Sequence, residues 1–107
     1  MSKTQLTKIL ETLRQEFSQA LGDQLEGILL FGSRARGEER PDSDIDVLVI
    51  VRSEFDYNYL IKRTSPIVSA LSLQYDVVIS RAFISKERFE QEQSPFLLNV
   101  RREGLAI

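Results

Sequence analysis

Between Leu6 and Leu21 the apolar positions (Leu6, Ile9, Leu10, Leu13, Phe17, Ala20 and Leu21) fall three and four residues apart, the spacing of an amphipathic helix. Ser2 or Thr4 can cap its start and Gly22 can stop it, so a helix over about 4–21 is predicted. The pattern then changes character. Residues 27–31, GILLF, and the run DIDVLVIV beyond Asp46 are apolar on both alternating faces, as strands covered on both sides must be. Both predict central strands.

Residues 56–73 carry a weaker helical pattern through Leu60, Ile61, Ile67, Val68 and Leu71. Pro66 lies inside it, which predicts a kink there or a restart with Ser65 as cap. YDVVIS at 75–80 predicts a third strand. Ser85 then caps a short charged helix, and Ser94-Pro95 opens another that Gly104 ends, with Phe96, Leu97 and Val100 as its buried side and Leu98 also expected to pack on the sheet. The order of elements predicts a small α/β (α+β) layer, helices packed on a mixed sheet.

The length of 107 residues fits one domain, 1–107, whose core removes roughly 60–70% of the unfolded chain's surface from water. A net charge of -2 supplies no global basic field, so strong direct binding of nucleic acid is not expected. With no cysteine and no histidine, disulfides, thiolate zinc sites, cysteine nucleophiles and imidazole bases are excluded. The chemistry falls to carboxylates, hydroxyls, lysines and arginines. The first residues hold no apolar leader and the longest unbroken apolar run, Val47 to Val51, is too short to span a bilayer, so a cytoplasmic protein is expected.

The loop between the two central strands is crowded with charge, GSRARGEERPDSDID. Asp44 and Asp46 are two apart on a strand, which puts their Cα atoms roughly 6–7 Å apart on one face. Two parallel carboxylates at the mouth of an apolar strand repel and are costly to desolvate unless a cation sits between them. Hard oxygen donors favour magnesium or manganese. Upstream, Gly32 lets a ligand approach the backbone, the amides that follow and the Ser33 hydroxyl can donate to a phosphate, and Arg34 and Arg36 add positive charge at the same turn. Glu38, Glu39 and Arg40 read as solvated loop, Asp42 and Ser43 as turn or cap residues. Carboxylate pair and phosphate turn together describe a nucleoside triphosphate site for phosphoryl or nucleotidyl transfer.

Gly32-Ser33, ten residues, then Asp44-Ile45-Asp46 resembles the signature of the minimal nucleotidyltransferase family of the polymerase-beta superfamily. The similarity follows the order of elements from about residue 25 to 80, with a looser match in the tail FLLNVRREG. The resemblance implies a third carboxylate on a later strand, for which Asp76 in QYDVVIS is the candidate. It further implies that Asp44 and Asp46 hold two magnesium ions, that Asp76 binds the second ion and helps deprotonate an acceptor hydroxyl, and that Gly32 and Ser33 hold the triphosphate of ATP.

With one domain and no basic patch expected, another protein is expected to supply the acceptor. Small members of the family act with a HEPN-domain partner, and some are antitoxins that transfer AMP from ATP to a tyrosine of that toxin. The same is expected here. Two other readings stay open: a nucleotide-binding subunit that neutralises or completes a partner by contact alone, and a small-molecule or RNA nucleotidyltransferase completed by another subunit.

Overall fold

The computed structural model describes residues 2–37 and 44–107. The expectations for Glu38, Glu39, Arg40, Asp42 and Ser43 fall outside the described residues. Helix α1 (Lys3–Leu21) leads through a short 3-10 turn into strand β1 (Leu25–Phe31). Strand β2 (Ile45–Val51), helix α2 (Tyr57–Tyr75), strand β3 (Ile79–Ser85), helices α3 (Lys86–Gln91) and α4 (Pro95–Glu103) and a two-residue strand β4 (Leu105–Ala106) follow.

Local chemistry accounts for these boundaries. Ser2 caps α1 through the Gln5 amide while the Gln5 side chain returns to the Ser2 amide, a reciprocal capping box. Ser85 accepts from the Arg88 amide at the start of α3, and Ser94 from the Leu97 amide at the start of α4, where Pro95 occupies the first turn. Asp56 does the same for α2 through Asn58 and Tyr59.

The sheet order is β3-β2-β1-β4. β1 runs antiparallel to β2 and to β4, and β3 runs parallel to β2 with Asp46 in register with Ser80. α1 and α2 cover one face, where Ile9, Leu13 and Phe17 of α1 and Leu60, Val68 and Leu71 of α2 close over Ile28, Leu30, Val47 and Val49. On the other face Leu97 and Val100 of α4 meet Leu48, Ile50 and Ile84. β2 is thus apolar on both faces because both are covered, which is why its sequence does not alternate. No described helix is long and apolar enough to cross a membrane.

Three expectations are corrected. α2 does not restart at Pro66: it is one helix that runs through that residue, and Ser65 is no cap but donates its hydroxyl to the Ile61 carbonyl at 2.7 Å. The third strand begins at Ile79, not Tyr75, because α2 continues to Tyr75 and closes on Asp76 in the left-handed conformation (φ 53°), with the Val77 amide returning to the Ser72 carbonyl. Phe96 and Leu98 are not buried with Leu97 and Val100 but are each 46% exposed, since α4 turns only one side to the sheet.

Candidate active site

β1 ends at Phe31 and the chain turns at Gly32, whose φ of +77° only glycine adopts without strain. The Arg36 amide donates back to the Gly32 carbonyl (3.3 Å) and the Gly37 amide to that of Arg34 (3.4 Å), so residues 32–37 form a compact turn. Across the β1–β2 ladder Phe31 stands opposite Asp46, and the carboxylate of Asp46 lies on the side of Gly32 where a side chain would project. A β-carbon on Gly32 would lie 2.6 Å from Oδ2 of Asp46. The acid and the turn are therefore side by side, brought together by register and by the missing side chain.

Asp44 lies just before β2 and is exposed, while the Ile45 amide between the two acids is fixed to the Val78 carbonyl of the chain entering β3 (2.9 Å). Asp46 is half-buried, and its carboxyl is held above the ordinary carboxylate range, first by burial and second by the charge of Asp44. Two repelling oxygen donors, one of them partly desolvated, are a donor set that a hard divalent cation fits. Among the described residues no group of three histidines, cysteines, aspartates or glutamates is arranged to hold a metal.

Of the other residues singled out in the sequence, Ser33 is half-buried on the turn and Arg34 is buried, with 6% of its surface exposed. An arginine in such a loop reads as solvent-facing, and only the folded turn, with Ala35 packed on the main core, draws Arg34 inward. Arg36 is exposed and reaches Glu103 of α4 at 3.3 Å. Asp76 is an exposed helix-closing residue rather than a strand residue. It stands two residues before Val78 and hence at the same end of the sheet as Asp44 and Asp46. On β3 it is Ser80 that lies beside Asp46, a neighbour that the sequence could not reveal before the start of the strand was known.

Residues 6–103 match the model of the nucleotidyltransferase domain family. The chain is 37% identical over 98 residues to a Methanocaldococcus jannaschii protein named "Putative protein adenylyltransferase", covering 87% of this chain and 92% of that protein. A solved toxin–antitoxin structure with AMP-PNP superposes with a TM-score of 0.61 at 19% identity, over 90% of this chain and 70% of the other. The structure of a tri-AMPylated Shewanella oneidensis HEPN toxin in complex with its MNT antitoxin gives a TM-score of 0.52 at 20% identity, over 99% and 71%.

Proposed function

Because this chain belongs to the nucleotidyltransferase domain family, we propose that it transfers AMP from ATP to a tyrosine hydroxyl of a HEPN-domain toxin and acts as that toxin's antitoxin. It is a nucleotidyltransferase enzyme of the protein adenylyltransferase kind, by family and by its similarity to the Methanocaldococcus jannaschii relative. The finer reading is supported by the AMPylated HEPN toxin found with an antitoxin of the same fold. The observation that carries the chemistry is that the Asp46 carboxylate stands in the space a β-carbon on Gly32 would fill, since it brings an acid pair against a turn suited to phosphate.

In this reading Asp44 and Asp46 hold two magnesium ions, which when bound lower the acceptor's pKa and offset charge on the leaving pyrophosphate. The amides after Gly32 and the Ser33 hydroxyl hold the triphosphate, and Arg34 and Arg36 add positive charge at the turn. Asp76 takes the proton of the acceptor hydroxyl. The acceptor oxygen forms a bond to the α-phosphorus, the bond from that phosphorus to the bridging oxygen breaks, and pyrophosphate leaves. The absence of histidine from the chain is no obstacle, since carboxylates also serve as general bases.

Co-expression with a cognate HEPN-domain protein, followed by co-purification and intact-mass measurement, tests the proposal. A partner carrying one or more AMP groups, lost when Asp44 and Asp46 are both changed to Asn, is the expected result. A partner held tightly and neutralised without modification would replace it with neutralisation by contact.

A further inference from the structure

We propose that the cleft between the Gly32 turn and α4 receives the nucleobase of the nucleotide, an inference that rests on the nucleotidyltransferase reading of the Gly32–Asp46 site. The cleft has a volume of about 180 Å³ and is lined by Phe31, Gly32, Arg36, Phe96 and Asn99 among others. Pockets that hold a whole small ligand run to roughly 300–1,000 Å³. This one has room for part of a ligand, and it opens beside the turn that would hold the other part.

The register places it on the correct face. Cross-strand partners in an antiparallel pair project to the same side of the sheet, so Phe31 and Asp46, which are paired, share a face. That face also carries Leu48 and Ile50, the residues on which Leu97 and Val100 of α4 rest. A molecule with phosphates at Gly32 and a metal at Asp44 and Asp46 therefore has α4 immediately beside it.

The side chains there suit a flat ring with a polar edge. Phe96 meets Phe31 edge to face, with centroids 5.4 Å apart and planes at 87°, and remains 46% exposed although its helix neighbours Leu97 and Val100 are buried. An open aromatic ring beside a phosphate site is a stacking platform. Asn99, exposed on the same helix, accepts from Arg102 at 2.8 Å through Oδ1, so its amide presents N–H donors to a ligand. Arg36 and Glu103 pair at 3.3 Å and tie the turn to α4 at this cleft. Stacking supplies affinity whatever the base, and one donor on Asn99 discriminates only weakly.

Titration calorimetry with magnesium and either a nucleoside triphosphate or inorganic tripolyphosphate, which lacks a base, separates the two halves of the site. Phe96→Leu, which keeps apolar bulk but removes the ring, should bind the nucleotide about 5- to 100-fold more weakly and tripolyphosphate as the wild type does. Asn99→Ala, at an exposed position, should weaken nucleotide binding to a smaller extent with the same selectivity. Asp46→Asn should lose both ligands. Unchanged nucleotide affinity in both Phe96→Leu and Asn99→Ala, or an equal loss of the two ligands in Phe96→Leu, would overturn the base cleft while leaving the phosphate site in place. A wild type that binds neither ligand would instead overturn the nucleotidyltransferase reading beneath it.

Discussion

Gly32 and Asp46 lie so close that the carboxylate of one occupies the space a side chain on the other would need, with 2.6 Å between Oδ2 and the position of a β-carbon. The positive φ of Gly32 adds a second reason for glycine. A non-glycine residue held in such a conformation costs about 1–3 kcal/mol. Gly32→Ala should lower stability by roughly that amount in urea denaturation, and nucleotide transfer should fall further because Asp46 must move aside. In an Asp46→Ala background the same substitution should cost less, because only the backbone strain remains. A double-mutant cycle with no coupling between the two positions would contradict the contact.

The raised carboxyl of Asp46 fixes a pH dependence. Its proton is held more tightly in the folded than in the unfolded chain, so its contribution to stability is full below the unfolded pKa and is lost as pH rises through the folded pKa. Without divalent cations Asp46→Asn should therefore melt higher than the wild type at neutral pH. The difference should vanish below about pH 4, where the unfolded carboxyl is itself protonated. Magnesium with nucleotide should reverse the order at neutral pH by stabilising the wild type alone. Equal melting temperatures at neutral pH in a chelating buffer would show that the pair carries no electrostatic cost.

Helix α1, strands β1 and β2 and the caps of α3 and α4 were readable from the chain because each rests on short-range chemistry: spacing of apolar residues, a serine at the right step, a proline in a first turn. The link between Gly32 and Asp46 was readable only as a motif, since the distance between them depends on strand register. The start of β3 was not, because Tyr75, Val77 and Val78 are apolar in a helix end as well as in a strand, and a left-handed aspartate is a rarer stop than glycine. Arg34 is buried although charged, and Phe96 is half-exposed although it was expected on the buried side of α4. Both outcomes follow from how the turn and α4 sit on the sheet, which no local pattern records.

Pro66 passes through α2 because the turn before it is held from outside. Arg81 of β3 donates from Nε to the Thr64 hydroxyl at 2.8 Å and from its second nitrogen to the Ser65 hydroxyl at 2.9 Å and the Ile61 carbonyl at 3.2 Å. Thr64 is fully buried and donates its own hydroxyl to the Leu60 carbonyl at 2.8 Å. Arg81→Lys keeps the charge but loses the planar fork, and should cost roughly 1.5–3 kcal/mol in a denaturant melt, the range for hydrogen bonds to charged groups. Hydrogen exchange should rise first around residues 60–66. A variant with unchanged stability and exchange would make the proline tolerable for some other reason.

Asp76 offers a test of chemistry with little interference from folding. Its left-handed backbone (φ 53°) is one that asparagine also tolerates, so Asp76→Asn should keep the end of α2 and the melting temperature of the wild type. The residue is exposed, and its chain is bound two residues later to Ile45, between the two acids of β2. If Asp76 takes the acceptor's proton, Asp76→Asn should still show the rise in melting temperature with magnesium and nucleotide while transfer to the partner falls about 10²–10⁴-fold. Cells carrying this variant beside the HEPN-domain protein should then lose protection although the two proteins still co-purify. Asp76→Gly, which removes both the carboxylate and the left-handed strain, should be as inactive as Asp76→Asn and slightly more stable. Full transfer by both variants would reduce Asp76 to a helix stop and leave Asp44 and Asp46 as the acids of the site.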